Sequence, residues 1–412
     1  MEGSILNTKD IFIFLIMGLG GIIILNIVLH DLLNKFRIPS MIGFILLGFV
    51  VKLIDSQIHF LNHDIENLVE FFAEIGVITL LFRVGLESNL DGLLKQIRHA
   101  SIILIGNILF SSFLGYYVSS NLLHLELIPS LFIAVALTAT SVGISVSVWQ
   151  ETGKIKSETG ELLLDIAEMD DIVGIILMSL LLFSIPIIQE SGINSLWQAL
   201  LKDSVILILK FIAFMAICVL FSKFIEPYVS HFFNRINQAS DSMLLIIGIG
   251  FIIASIASLI GFSYALGAFF AGLIFSRDPQ TVKLESPFRS LYLFFTPFFF
   301  LHVGLLIELK GMGLALWLGL VLLIVAVMGK LIGNSLFSLL VTDKKSALLI
   351  GISMIPRAEI ALIVMQKGRE LGPRILPHNV FTAMIFVCLI TCTGIPFILR
   401  QFLVRNSNNA KQ

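Results

Sequence analysis

Residues 167–183 read AEMDDIVGIILMSLLLF, an apolar run interrupted by two adjacent aspartates, Asp170 and Asp171. A carboxylate near the middle of a membrane helix costs roughly 2.5 to 3.5 kcal/mol even on the mildest scale, and two neighbouring carboxylates also repel each other. A sequence keeps such a pair where it has a use for it. The natural use is to bind a cation or a proton, or to exchange one for the other. Outward from this stretch the whole chain has the composition of a membrane protein. Of its 412 residues 57% are hydrophobic and 13% charged, against about 25% charged in a soluble domain. The mean hydropathy is +0.99. The apolar runs are continuous rather than alternating, which predicts helices and not a β-barrel.

A span needs about 20 apolar residues, and by that measure roughly thirteen segments can be drawn. They lie near 11–30, 38–54, 68–87, 100–120, 128–149, 161–186, 204–226, 242–261, 264–277, 287–307, 313–338, 346–366 and 379–403. With the N-terminus outside, sixteen loop Lys and Arg residues fall inside and seven outside, so the positive-inside rule predicts N-out and C-in in the cell's inner (plasma) membrane. The loop after the twelfth segment is the exception, with Lys367, Arg369 and Arg374 outside. The first run, Ile11 to Val28, is long enough to span and no small-residue cleavage site follows it, so no cleavable signal peptide is expected. A net charge of -1 argues against nucleic acid as a partner. Cys218, Cys388 and Cys392 lie in apolar runs without a completing His or Cys, and read as small apolar residues. No cofactor is implied, and no HExxH, GxSxG or phosphate loop points to an enzyme.

Four further sites carry charge deep in apolar runs: Arg83, Lys210, Lys330, and Arg357 with Glu359. Lys330, in LIVAVMGKLIGNSLF (323–337), needs a counter-charge if it is buried. Either the aspartate pair supplies it, or the side chain snorkels to the inner surface. Its distance from the nearest loop favours the pair. Arg83 has a ready partner in Glu87 one turn on.

Two segments read as broken. In ALTATSVGISVSV (136–148), Thr138, Thr140, Ser141 and Gly143 cluster mid-span. In GISMIPRAEIALIV (351–364), Pro356 removes a backbone donor. In lipid such breaks survive only where the freed backbone lines a cavity or is buried in protein. Paired breaks in corresponding places are a pointer to a transporter's binding site. Their spacing predicts inverted repeats, about 11–186 and 242–403, around a linker helix near 204–226. The whole is one membrane transport domain over 1–405, with a short cytoplasmic tail at 406–412 and no appended soluble domain. Ordinary packing by Ser, Thr and Gly would explain the first stretch taken alone.

With these pieces in order the chain resembles the monovalent cation:proton antiporter-2 family. The resemblance rests on TATS (138–141), MDDIVG (169–174), Lys330 in a late helix and IPRAEIAL (355–362). LLFRVGLE (80–87), ALGAFFAGLIFS (265–276) and FFTPFFFLHVGLLI (294–307) also match. The set spans most of the chain in the family's order. It implies an all-α membrane fold of about 13 helices, with inverted repeats and two crossing broken helices. Asp171 then matches the essential ligand of cation and proton, and Asp170 the carboxylate that pairs with Lys330. Thr140 and Ser141, with Thr138, match the polar crossing beside the ligand. Glu359, next to Arg357, matches the acid of the second break. Glu87 matches an acid near the inner funnel with a structural role. Members with a glutamine-aspartate pair are typically potassium efflux systems with a regulatory domain. The two aspartates here resemble the sodium-type, electrogenic branch. Arg83 and His302 depart from the pattern, and a packed neutral imidazole is the simpler reading of His302.

The expectation is therefore a secondary antiporter exchanging a monovalent cation for a proton. Na+ comes first, with Li+, K+ or a broad cation range as alternatives, in a lipid bilayer and as a homodimer. A sodium-coupled symporter, a channel and a non-transporting sensor are the rival classes.

Overall fold

The computed structural model describes residues 20–408, apart from 26, 30, 34, 36, 37, 60, 62, 88, 89, 226, 227, 229–238 and 277–284. Most of segment 11–30 and the tail from 409 lie outside the described residues. The side chains of 90–97, 142, 190–208, 239–244, 285–287 and 405–408 also lie outside them.

Every regular element among the described residues is helical. In chain order they are α1 (Ser40–Ile58), α2 (His63–Glu87), α3 (Leu90–Tyr117), α4 (Leu127–Thr138), α5 (Val142–Glu151), α6 (Glu158–Leu220) and α7 (Ala239–Ile260). Then come α8 (Tyr264–Phe275), α9 (Glu285–Leu305), α10 (Met312–Ser338), α11 (Lys344–Ser353), α12 (Glu359–Glu370) and α13 (His378–Asn408). Seven stretches among the described residues are long and apolar enough to cross a membrane, and three shorter apolar helices join them. Lipid offers backbone groups no hydrogen bonds, so a chain this apolar satisfies them within helices.

Both expected breaks are present. The segment at 128–149 is α4 and α5, which part at residues 139–141, and the segment at 346–366 is α11 and α12, which part at 354–358. Pro356 explains the second, because it has no N–H and disfavours helix at the residue before it. The first has neither Pro nor Gly. Its hydroxyl residues compete for the backbone instead, and Thr138 Oγ1 donates to Val135 O at 2.7 Å.

The segments expected at 161–186 and 204–226 are joined in the single helix α6, with Pro186 inside it. No proline follows Pro186 before the next apolar run, and one proline alone kinks a helix as readily as it ends one. Among the described residues, Glu158–Gln189 is the part of it that qualifies as a span.

The chain divides into two compact units, Met1–Thr79 with Phe288–Ile307 and Leu80–Pro287 with Glu308–Gln412. In the first, α1 and α9 meet backbone to backbone: a Cβ on Gly48 would stand 2.0 Å from Leu301 O, and one on Gly304 2.1 Å from Ile45 O. The second unit uses the same device where α3 crosses α10. A Cβ on Gly106 would lie 2.6 Å from Gly333 O, and one on Gly333 2.7 Å from Gly106 O. Close approach through small residues is the usual glue between membrane helices. Here it sets the next residue of α3, Asn107, beside Lys330 and Asn334 of α10.

Candidate cation and proton site

The two breaks touch. Ser141 N–H donates to Pro356 O at 2.8 Å, and Ser141 Oγ donates to Glu359 Oε2 at 2.8 Å. Glu359 is the first residue of α12, and Ser141 is the N-cap of α5. One carboxylate therefore stands at the N-termini of two half-helices, where the aligned peptide dipoles are positive.

The opposite problem arises where α4 stops at Thr138, since the last carbonyls of a helix lack intrahelical partners. Positive side chains from elsewhere supply them. Lys330 Nζ donates to Thr138 O and to Thr140 Oγ1. Arg357 Nη2 donates to Leu137 O at 2.9 Å and to Ala326 O at 3.0 Å, and Nη1 to Ile355 O at 3.0 Å. Both cationic residues are fully buried, at 0% exposure. Break two is anchored in turn to α13: Arg357 N–H donates to Thr391 Oγ1 at 3.3 Å, and Cys392 Sγ donates to Arg357 O at 2.9 Å.

The aspartate helix lies against this crossing. A Cβ on Gly174 would be 3.4 Å from Ile360 Cγ2 and 3.8 Å from Ala139 Cβ, so α6 meets both breaks one turn beyond the pair. Lys330 Nζ lies 3.5 Å from Asp170 Oδ2, both side chains buried. The lysine is thus paired and does not snorkel. Asp171 is partly exposed. Its carboxylate takes no hydrogen bond among those described, and the charges acting on it are Asp170, Glu359, Lys330 and Glu168.

The structure brings Thr138, Thr140, Ser141, Asp170, Lys330, Arg357 and Glu359 into one connected cluster. Thr140 Oγ1 faces the lysine as an acceptor. Glu87 is not part of this network among the described hydrogen bonds. It stands exposed near the end of α2 with Arg83 Nε at 2.6 Å, the local pair expected from their spacing.

Two residues not singled out from the sequence belong to the cluster. Asn107 Nδ2 donates to Asp170 Oδ1 at 2.5 Å and to Thr138 O at 3.3 Å. Its Oδ1 accepts from Ser111 Oγ at 3.2 Å and Asn334 Nδ2 at 3.5 Å. A signal for them exists: LIGNILF at 104–110 recurs as LIGNSLF at 331–337. In the fold the two copies pack on each other, Gly106 on Gly333, Asn107 on Asn334, and the rings of Phe110 and Phe337 edge to face at 6.2 Å.

Fold and site together define a multi-pass helical membrane protein in which two interrupted helices meet at buried charge. Residues 21–405 match the sodium/hydrogen exchanger transmembrane family, and the chain belongs to that family. A Na+/H+ antiporter of Enterococcus hirae is 31% identical to it, over 90% of this chain and 93% of that one. The Na+/H+-K+ antiporter GerN of Bacillus cereus is 30% identical, over 90% and 91%. The K+/H+ antiporter subunit KhtU of Bacillus subtilis is 26% identical, over 86% of each chain. The solved structure of the sodium proton antiporter MjNhaP1 from Methanocaldococcus jannaschii superposes with a TM-score of 0.70, over 95% of this chain and 97% of that chain. The identity is 17%, so this likeness speaks for the fold. The family is one of transporters, not enzymes.

Proposed function

We propose that this chain is a monovalent cation:proton antiporter, exchanging Na+ for H+ across the inner membrane. The observation that carries the reading is the buried Lys330–Asp170 pair, 3.5 Å apart at the crossing of the broken helices, beside Asp171, a residue of intermediate exposure. A hard cation wants oxygen ligands, and Asp171 with the hydroxyls and freed carbonyls of 138–141 offers them. A carboxylate that holds a proton has less to offer a cation, so the two compete for one site. Asp170 and Asp171 are adjacent carboxylates, with Lys330 as counter-charge to Asp170. Thr140 Oγ1 becomes free for a cation when Lys330 shifts from it toward Asp170.

Antiport follows if the core moves when loaded and not when empty and charged. Alternating access is rocking of one bundle against a scaffold that pairs in a homodimer, with inverted repeats about 11–186 and 242–403 and a linker helix near 204–226. The LIGNxLF copies fall in the fourth and eleventh expected segments, which correspond in that scheme. Two acids on the core support electrogenic exchange, more than one proton per cation. The termini lie N-out and C-in. Potassium or broad cation exchange is the second reading, supported by relatives named for K+ as well as Na+.

The test is cation-triggered proton movement in sealed proteoliposomes, Na+ and K+ added separately, for wild type and Asp171→Asn. Proton release driven by Na+ and abolished in the variant is the expected result. An equal K+ response moves the assignment to a broad exchanger. No response to either from folded protein overturns antiport.

A further inference from the structure

Asn107 sits on a helix that, among the described residues, contributes no titratable group to the cluster, yet it is fully buried and uses every hydrogen-bonding position it has. An amide carries two donor hydrogens and two acceptor lone pairs. Both hydrogens go to acceptors, Asp170 Oδ1 and Thr138 O; both lone pairs face donors, Ser111 Oγ and Asn334 Nδ2. A flipped amide would set oxygen against carboxylate and carbonyl, so the orientation is fixed four times over. The backbone beneath it is equally constrained, because Gly106 lies against Gly333.

The two oxygens of Asp170 are consequently unlike. Oδ1 is engaged by the amide, while Oδ2 takes no hydrogen bond and faces Lys330 Nζ at 3.5 Å. The lysine in turn donates to Thr138 O and Thr140 Oγ1. The matching amide in the other LIGN copy is used differently: Asn334 Nδ2 donates to Lys330 O at 2.9 Å, the backbone of its own helix. Of two amides in equivalent sequence, only one reaches the acid.

We propose that Asn107 is a positioning residue for the exchange site: it holds Asp170 by Oδ1 and reserves Oδ2 for the proton and for Lys330. This rests on the antiport reading above. The amide donor acts alongside the charges that face Asp170: Lys330 from α10 and Arg357 from the second break, and the neighbouring Asp171, which opposes it. Without the amide, the Asp170 carboxylate is free to turn, so that either oxygen can meet Lys330 and neither is reserved for the proton.

Two variants test this. Asn107→Leu removes all four bonds at similar volume; Asn107→Asp keeps the shape and removes the donors, so a folding failure of the first does not silence the second. In proteoliposomes the pH of half-maximal Na+-driven proton release is expected to move by about one unit in either variant. Ser112→Ala, which removes a hydroxyl bonded to Ile108 O on the same helix and outside this network, should leave it in place. A second measurement does not depend on transport. In an Asp171→Asn background, infrared pH titration of the purified protein reads the protonated-carboxyl band that disappears when Asp170→Asn is added, and the pH at which this band appears should move when Asn107→Leu is introduced. Unshifted profiles and an unshifted band overturn the proposal. A shifted band in a protein whose parent moves no protons supports the role of Asn107 while rejecting antiport.

Discussion

The two broken helices meet at one point but are built on different plans. The break between α11 and α12 carries its own chemistry: Pro356 stops the helix, Arg357 reaches three carbonyls, and Glu359 stands at two helix N-termini. The break between α4 and α5 has only hydroxyls and backbone at Thr138, Ala139, Thr140 and Ser141. Its carbonyls are satisfied from outside, by Lys330 of α10, Asn107 of α3 and Arg357 of the other break. A dependent break next to the aspartates has a functional consequence. Anything that moves Lys330 changes both the partner of Asp170 and the cap of α4.

The largest effect expected from this asymmetry comes from Lys330→Met. It leaves Asp170 buried without its ion-pair partner and removes a donor from Thr138 O. Removing one member of a buried pair costs roughly 3 to 5 kcal/mol. Thermal unfolding in detergent should show the loss, and adding Asp170→Asn should recover most of it, because the uncompensated charge is then gone. A double variant as unstable as Lys330→Met would mean that the lysine acts through α4 and not through the acid. Arg357→Lys is the sharper cut at the break between α11 and α12. The charge stays, but an ammonium is a single point that cannot span Ile355 O, Leu137 O and Ala326 O as the planar guanidinium does. A loss of about 2 kcal/mol is expected, read from the same unfolding experiment.

Why one break is legible in sequence and the other less so follows from the same contrast. Pro356 and the charged pair beside it announce the second break by local rules. TATS carries no stop signal of its own, and reads as a break only beside Asp170 and Asp171. The acids and Lys330 stand out because charge in an apolar run is expensive wherever it lies. Asn107 and Asn334 do not, since a lone amide in a membrane helix has many ordinary uses. What marks them is a relation between distant stretches, LIGNILF and LIGNSLF, which matters only once the helices cross. The joining of two expected segments into α6 has a related cause, for the polar residues after Pro186 look like a loop but include nothing that forbids helix.

The smallest effect compares the first arms of the two breaks. Helix α11 begins at Asp343, whose carboxylate accepts from Lys345 N–H at 2.9 Å and Ser346 N–H at 3.4 Å. Helix α4 begins after Glu126, whose side chain makes no capping bond. Asp343→Ala should cost about 1 kcal/mol at neutral pH, the usual worth of an N-cap, while Glu126→Ala should cost nothing measurable. The pH dependence has a definite sign. The Ser346 side chain, with the backbone N–H groups of Lys345 and Ser346, holds the Asp343 carboxyl below its usual 3.8. A depressed carboxylate contributes stability that is complete above its unfolded value and fades as pH falls through the folded one. Melting curves of wild type and Asp343→Ala should therefore differ at pH 7 and converge in acid, below about pH 4. Asp343→Asn, which keeps an oxygen for the cap but carries no charge, should give a smaller difference with the same convergence toward acid. If Asp343→Ala melts like wild type at pH 7, the two arms are held alike, and the asymmetry is confined to the crossing where Lys330 stands.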